Sequence, residues 1–181
     1  RVTKKYEAKR KSIGNSQTLP RDYAVRQEIE LVISELAEQV AIRTRRAKKK
    51  TCLVSLYVGF GFSEGKSSIH AQMAVEPTNS TQKLTQAVLT LFREKYASGA
   101  VRRIGVSYGQ LCEADVELIS LFEDPQISQK QEAVQDVIDA IREKYGFLSV
   151  QKANSLASGS RVMARSKLVG GHSAGGLDGL R

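Results

Sequence analysis

The segment at residues 59–68, Gly-Phe-Gly-Phe-Ser-Glu-Gly-Lys-Ser-Ser, contains the residue types that hold phosphate groups. Gly-Lys-Ser ends the loop whose backbone amides and lysine cradle the phosphates of a bound nucleotide. That loop also needs a glycine five residues earlier, where this chain has Phe60, and it must open into a helix. Residues 68–75 instead alternate polar and apolar side chains, which predicts a strand. We therefore interpret the segment as the loop of a β-hairpin, with nucleotide binding as a minor alternative.

The other reactive side chains form no recognisable catalytic or metal-binding pattern. The two cysteines have no Cys-x-x-Cys spacing and both histidines are isolated, so we expect neither a zinc site nor a disulfide. Acidic residues are neighbours in two places, which we interpret as loop charges: Glu113 with Asp115, and Glu123 with Asp124. We expect no catalytic residue, no metal ligand and no cofactor in this chain.

The positive charge of the chain is concentrated in its first part. The formal net charge is +9; residues 1–115 carry 20 Lys and Arg against 11 Asp and Glu, whereas residues 116–181 carry 8 of each kind. Clustered positive charge suits a polyanion, because each phosphate that is neutralised releases condensed counterions. The alternative is a basic surface that is merely solvated.

The length and composition suit one domain with a core and an appendage. The chain has 181 residues, of which 41% are apolar. The first fifty residues contain no apolar run that resembles a signal or membrane segment, so we expect a cytoplasmic protein without a membrane partner. Because the first residue is Arg1, we also expect the chain to be part of a longer protein.

Two amphipathic helices are predicted from the spacing of apolar residues. Asp22 is placed to cap the first helix, and Gly99 is placed to end the second, which begins after residues 77–80. At the end of the first helix a cationic cluster that includes Arg46 and Lys48 suits either the helix dipole or a phosphate. The apolar face of the first helix consists of Val25, Ile29, Val32, Ile33, Leu36 and Val40.

Four segments are predicted to be strands, the first an edge strand that ends at Pro20. The order strand, helix, strand, strand, helix, strand predicts an α+β domain. Its sheet would be a four-stranded, mainly antiparallel βαββαβ sheet with both helices on one face. The opposite face would carry mostly hydrogen-bonding or basic side chains: Ser55, Tyr57, Ser68, His70, Gln72, Arg103 and Ser107.

Beyond residue 115 the composition changes. Residues 116–127 contain a short apolar run, and residues 128–146 are predicted to form a third helix, because Ser128 and Gln131 have capping-box spacing and Gly146 follows the apolar stripe. Residues 147–181 are rich in glycine and small polar residues, and we expect a flexible tail there.

Two short motifs, Arg10-Lys11-Ser12-Ile13-Gly14 and Val101-Arg102-Arg103-Ile104-Gly105-Val106, frame the two helices and the hairpin. In this arrangement the chain resembles the little finger domain of Y-family translesion DNA polymerases, which we assign to residues 10–115. The third helix and the sequence Leu-Val-Gly-Gly-His at 168–172 resemble the C-terminal region of the UmuC-like, UvrX-type polymerases of Gram-positive bacteria. The resemblance implies that residues 1–9 are a linker from a polymerase core, which would hold the catalytic Mg²⁺, so that this part would not polymerise DNA alone.

The resemblance also implies binding of a duplex primer-template through its phosphates, without reading sequence. Arg102 alternates with the buried residues of its strand, so Arg103 is the stronger candidate of that pair. From the resemblance, the basic cluster and the open face we predict these DNA-binding residues: Lys11, Ser12, Asn15, Arg46, Lys48, Tyr57, Lys66, Ser67, Ser68, His70, Arg102 and Arg103.

A further partner is suggested by the run at residues 118–122, which resembles the sliding-clamp-binding peptide Gln-Leu-Ser/Asp-Leu-Phe. Ser120, Leu121 and Phe122 match this pattern, Ile119 is a conservative change, and Leu118 replaces the glutamine. Leucine and phenylalanine would fill an apolar groove on the clamp. Alternatively, the run packs against this domain.

An RNA-binding module is the alternative from another class of function, because an open sheet over two helices also serves single strands. That function needs exposed aromatic rings for stacking, and Tyr57 is the only good candidate on the polar face.

Overall fold

The computed structural model describes residues 12–114, 125–166, 168–169 and 172–173. Its main sheet has four strands, and every neighbouring pair is antiparallel. Helix α1 (Arg26–Arg46) connects the first two strands, and α2 (Thr81–Lys95) connects the last two. The predicted α+β, βαββαβ architecture is confirmed. In spatial order the strands are β1 (Ser12–Tyr23), β4 (Val101–Glu113), β2 (Lys49–Phe60) and β3 (Ile69–Thr78).

Each of the two helices connects a pair of parallel strands that have one other strand between them. Strands β1 and β2 are both antiparallel to β4, so they run parallel with β4 between them, and β3 and β4 run parallel on either side of β2. The core lies between one face of the sheet and the two helices. The apolar face predicted for α1 is buried except at Val25, which precedes the helix and is half exposed. Each fully buried Leu or Ile stabilises the fold by roughly 1.5–3 kcal/mol.

The start of α1 differs from the prediction, because Asp22 lies in β1 and does not cap the helix. The register jumps from Thr18 opposite Arg103 to Tyr23 opposite Val101, so β1 carries extra residues and continues past Pro20. Proline is tolerated there because β1 is an edge strand. At α2 the side chain of Ser80 accepts a hydrogen bond from the Lys83 amide, as expected for an N-cap.

The predicted third helix is present as α3 (Pro125–Tyr145). Its polar side contacts α1: Asp139 Oδ2 lies 2.6 Å from Arg45 Nε, and Arg142 Nη1 lies 2.9 Å from Glu38 Oε1. The domain therefore holds α3 by ion pairs. Part of its apolar stripe stays exposed, namely Ile127, Val134, Val137 and Tyr145.

The expectation of a flexible tail is wrong for residues 147–166. This segment forms two 3₁₀ turns and the short helix α4 (Val162–Arg165), and it packs against α1 and β1. The physical reason is a set of long-range polar contacts that the local composition does not reveal; for example, the Tyr23 hydroxyl donates to the Gly159 carbonyl at 3.1 Å. Strands β5 (Leu168–Val169) and β6 (His172–Ser173) pair antiparallel beyond it.

Candidate nucleic-acid interface

The face of the sheet opposite the two helices, called the open face here, carries small and polar residues. The strand register aligns them in two rows across all four strands: Ser16-Gly105-Tyr57-His70 and Gly14-Ser107-Ser55-Gln72. Gly105 is buried, and the other members are exposed or half-buried. The rows line a shallow depression of about 740 Å³. A ligand as broad as a polymer backbone therefore has access to the middle of the sheet.

Two glycines of the open face lie in close contact with neighbouring side chains. A Cβ added to Gly14 would lie 2.8 Å from the Cβ of Ser107, and one added to Gly59 would lie 2.8 Å from the Tyr57 hydroxyl. Real Cβ atoms do not approach this closely, so a side chain at Gly14 would require β4 to shift at Ser107, and one at Gly59 would require the end of the Tyr57 side chain to move. Close approach, rather than backbone freedom, accounts for these two glycines.

Three side chains of the open face form a cluster at one end of the sheet. The ring of Tyr57 meets the ring of His70 edge-on, with centroids 4.8 Å apart, and the Arg103 guanidinium carbon lies 5.9 Å from the Tyr57 centroid. Ser68 Oγ lies 3.2 Å from His70 Nε2. Arg103 is exposed and makes no ion pair with any residue that the structure describes. Its charge is therefore available to an anionic ligand, and four of the predicted residues are brought together here.

Asn15 lies on the opposite side of β1 from the open face. Its Nδ2 donates to Gln39 Oε1 of α1 at 3.0 Å. Alternate residues of β1 face the helices, and Asn15 shares that side with the buried Ile13 and Leu19. The prediction assigned Asn15 to DNA contact; the residue borders the depression, but its side-chain amide already has a partner within the domain.

Arg102 and Lys66 also have partners within the domain. Arg102 is the extra residue where the β2–β4 register shifts, and its Nη1 lies 3.6 Å from Asp22 Oδ1. Lys66 Nζ donates to the Ser98 carbonyl at 2.8 Å and lies 3.7 Å from Glu64 Oε2. Both charges are partly neutralised by the chain itself, whereas Arg103 makes no ion pair with the described residues.

The remaining predicted residues are spread over the domain. Ser12 lies on the exposed edge of β1, and Ser67 is exposed in the hairpin loop. Lys48 immediately precedes β2, whereas Arg103 pairs with Gly59 near the other end of that strand. Ten strand residues at about 3.3 Å each place these two ends roughly 33 Å apart. Arg46 is exposed beside Lys48. Lys11 and the clamp-like residues Ile119, Ser120, Leu121 and Phe122 lie outside the described residues.

The hairpin predicted from residues 59–68 is present. Gly65 has a φ of +58°, the left-handed conformation that favours glycine, and β3 follows the loop. The nucleotide-binding alternative needs a helix at this point, so the geometry does not support it. Two exposed residues were not predicted as part of this surface: Phe62, which is fully exposed in the hairpin loop, and Ser16, because β1 is polar on both faces.

The described residues contain neither a candidate metal site nor a candidate membrane-spanning helix. Among residues 12–114, 125–166, 168–169 and 172–173, no group of three or more His, Cys, Asp or Glu side chains is placed to hold a metal ion. None of the helices in the same part of the chain has the length and apolar content that a membrane crossing requires.

The fold and the open face together define an α+β domain with one sheet surface exposed and lined by small and polar residues. Residues 10–121 match the impB/mucB/samB family C-terminal domain, and the chain belongs to this family. The resemblance to the little finger of Y-family polymerases is thereby confirmed.

Curated relatives cover most of the chain. It is 34% identical over 164 residues to DNA polymerase IV 2 of Bacillus subtilis (strain 168), an alignment that covers 90% of this chain and 39% of that protein. A protein of the same strain that carries the name UvrX is 32% identical over 162 residues, covering 89% and 38%. DNA polymerase IV 2 of Halalkalibacterium halodurans is 31% identical over 172 residues, covering 94% and 41%. The chain thus spans about two fifths of the length of these relatives.

Proposed function

We propose that this domain binds duplex primer-template DNA without reading its sequence, as the C-terminal part of a translesion DNA polymerase acting in DNA repair. The single observation that carries the proposal is the open face, where Arg103 lies exposed beside rows of serine and glycine. Guanidinium and hydroxyl groups donate hydrogen bonds to phosphate oxygens, which are the same at every base pair. Relatives named as DNA polymerases support the same conclusion.

The dimensions of the sheet favour contact with phosphates over contact with bases. Four strands spaced about 4.8 Å apart are roughly 14 Å wide between the outer strands, whereas the major groove is about 12 Å wide and admits a two-stranded ribbon. A four-stranded face therefore lies across the groove and contacts the backbones at its rims. Small side chains at the centre of the face, such as Gly105 and Ser107, suit this arrangement because they offer little to read base edges.

A salt titration of a fluorescein-labelled hairpin duplex tests the proposal. We expect binding that weakens steeply with salt and is equal for duplexes of unrelated sequence. Arg103→Ala should weaken binding and lower the slope of log K against log salt by about 0.9, the value of one phosphate contact.

The control variant is Lys95→Ala, which removes one positive charge from an exposed residue of α2, away from the open face. It should leave the slope nearly unchanged. Absence of binding at low salt, or binding indifferent to salt, would contradict the proposal.

We also propose a sliding clamp as a second partner of the polymerase, through residues 118–122. Replacing Leu121 and Phe122 with alanine should abolish retention on the immobilised clamp, because these side chains would fill its apolar groove. Leu118→Gln restores the glutamine of the peptide pattern and should tighten binding. If neither change alters retention, the run is not a clamp ligand.

The catalytic carboxylates and their Mg²⁺ are proposed to lie in the part of the relatives that this chain does not span. The domain alone should therefore not extend a primer in the presence of Mg²⁺ and nucleotides. Extension by the purified chain would contradict this assignment.

A further inference from the structure

Phe62 is the most exposed apolar side chain in the described part of the chain, with a relative accessibility of 106%. Single exposed apolar residues are common on protein surfaces and often need no explanation. Phe62 differs because it lies in the β2–β3 hairpin loop, next to the end of the sheet that carries Arg103.

The loop that carries Phe62 is held in place on both sides. The Gly61 amide donates to the Ala100 carbonyl at 2.8 Å, and the Glu64 amide donates to the Gly61 carbonyl at 3.0 Å. On the far side of the turn, Lys66 donates to the Ser98 carbonyl at 2.8 Å. These bonds fix the backbone of a short 3₁₀ turn, so binding through Phe62 orders little additional loop backbone.

Contact between Gly61 and Asp22 fixes the loop further. A Cβ on Gly61 would lie 2.4 Å from Asp22 Oδ2, so the loop backbone packs directly against this carboxylate. The carboxylates of Asp22 and Glu64 would repel DNA, but each lies within 4 Å of a cation of the same chain, Arg102 and Lys66 respectively. The acidic groups around the loop are therefore largely compensated.

Phe62 and Arg103 are close enough to contact nearby nucleotides of one nucleic-acid strand. Phe62 is three residues beyond Gly59, which pairs with Arg103, so the two Cα atoms of Phe62 and Gly59 lie at most about 11 Å apart. A phosphate held by Arg103 and a base in contact with Phe62 are then only a few nucleotides apart, because bases are spaced about 3.4 Å along one strand.

We propose that Phe62 stacks on an unpaired nucleobase of the DNA strand whose phosphates contact the open face, next to the end of the duplex. The inference rests on the proposed function and adds a binding site for single-stranded DNA to it. Stacking on an aromatic ring tolerates any base, because every base has a π-face, and it raises affinity roughly 5- to 150-fold per base. Such a contact suits a strand whose bases are damaged.

The test compares two labelled ligands, a blunt hairpin duplex and the same hairpin with a five-nucleotide overhang. The wild-type chain should bind the overhang ligand more tightly. Phe62→Ala should lose at least fivefold on the overhang ligand and nothing on the blunt one, whereas Phe62→Trp should keep the preference. Phe62→Leu keeps an apolar side chain without a ring and should behave like the alanine variant.

Fluorescence of 2-aminopurine in the overhang gives a direct readout, because stacking on the ring should quench it with the wild-type chain and not with Phe62→Ala. Because Phe62 makes no packing contact in the core, its variants should unfold at the wild-type temperature. Wild-type binding to both ligands with equal affinity, and no change in Phe62→Ala, would overturn the stacking site and favour a protein contact for Phe62. Failure of the wild-type chain to bind either ligand would instead overturn the proposed function.

Discussion

Nη2 of Arg165 lies 3.1 Å from the Glu35 carboxylate, and both side chains are more than nine-tenths buried. The same carboxylate accepts hydrogen bonds from Ser160 Oγ at 2.6 Å and from the Arg161 amide at 3.0 Å. Arg165 Nε also donates to Gln17 Oε1 of β1. Burial lowers the pKa of Arg165 to about 10, so the guanidinium remains charged at neutral pH. One glutamate of α1 thus connects residues 160–165 to the domain.

Breaking this pair should destabilise the domain strongly. Arg165→Met leaves the Glu35 charge buried without its cation, which costs about 3–5 kcal/mol of the free energy of unfolding. Glu35→Leu in the same chain removes the orphaned charge and should recover much of the loss. Urea unfolding of the two variants measures both effects.

Lys152→Ala is the matched control for this prediction, because it removes a cation that lies 3.0 Å from Glu38 but is 55% exposed. It should change the free energy of unfolding by less than about 1 kcal/mol. Equal losses in Arg165→Met and Lys152→Ala would show that the buried pair does not hold the C-terminal segment.

Periodicity was sufficient to predict the order of strands and helices along the chain and the apolar face of α1, because buried residues recur every two positions in strands and every three or four in helices. It was insufficient for Glu35 and Asn15. Glu35 has its partner 130 residues away, and a charged residue on a helix ordinarily faces solvent. Asn15 belongs to a strand that is polar on both faces, and such strands specify weakly which side faces the core. Contacts between residues far apart in the sequence therefore determine where the side chains of Glu35 and Asn15 lie.

The close contact between Gly14 and Ser107 predicts a substitution with a specific suppressor. Gly14→Ala places a Cβ 2.8 Å from the Ser107 Cβ and should cost about 1–3 kcal/mol of stability. Ser107→Gly removes the nearest clashing atom and should recover most of this stability in the double variant, because the remaining close contact, to the Val106 carbonyl oxygen, is 3.2 Å. Gly105→Ala, whose Cβ would lie 3.4 Å from its neighbours, should be tolerated. A double variant as unstable as Gly14→Ala would indicate a cause other than this clash.

Tyr108 should make the stability of the domain fall at alkaline pH. Its hydroxyl donates to the Ala37 carbonyl at 2.9 Å, and burial raises the pKa of Tyr108 far above its usual value of 10.0. Between pH 10 and that raised pKa, the folded chain keeps a proton that the unfolded chain has lost. The contribution of Tyr108 to the free energy of unfolding is therefore fully present below pH 10. Above pH 10 it falls by about 1.4 kcal/mol per pH unit.

Tyr108→Phe isolates this effect, since all other titrating groups are common to both proteins. At pH 8 the variant should be less stable by about 1 kcal/mol, because it loses the hydrogen bond to Ala37. Urea unfolding between pH 8 and 11 should show the difference shrinking as the pH passes 10 and changing sign before pH 11. A constant difference over this range would mean that Tyr108 ionises equally in both states.

A negative charge on the open face should weaken DNA binding more than the same charge elsewhere. Ser16 is exposed on β1 in the row that contains Tyr57 and His70, and Gln86 is exposed on α2. Ser16→Glu and Gln86→Glu change the net charge equally. If DNA phosphates lie against the open face, Ser16→Glu should lower duplex affinity about tenfold at low salt by local repulsion, and Gln86→Glu should lower it far less, because exposed charges more than about 10 Å apart are screened. Equal weakening by both variants would mean that net charge alone governs binding, and the open face would then not be the interface.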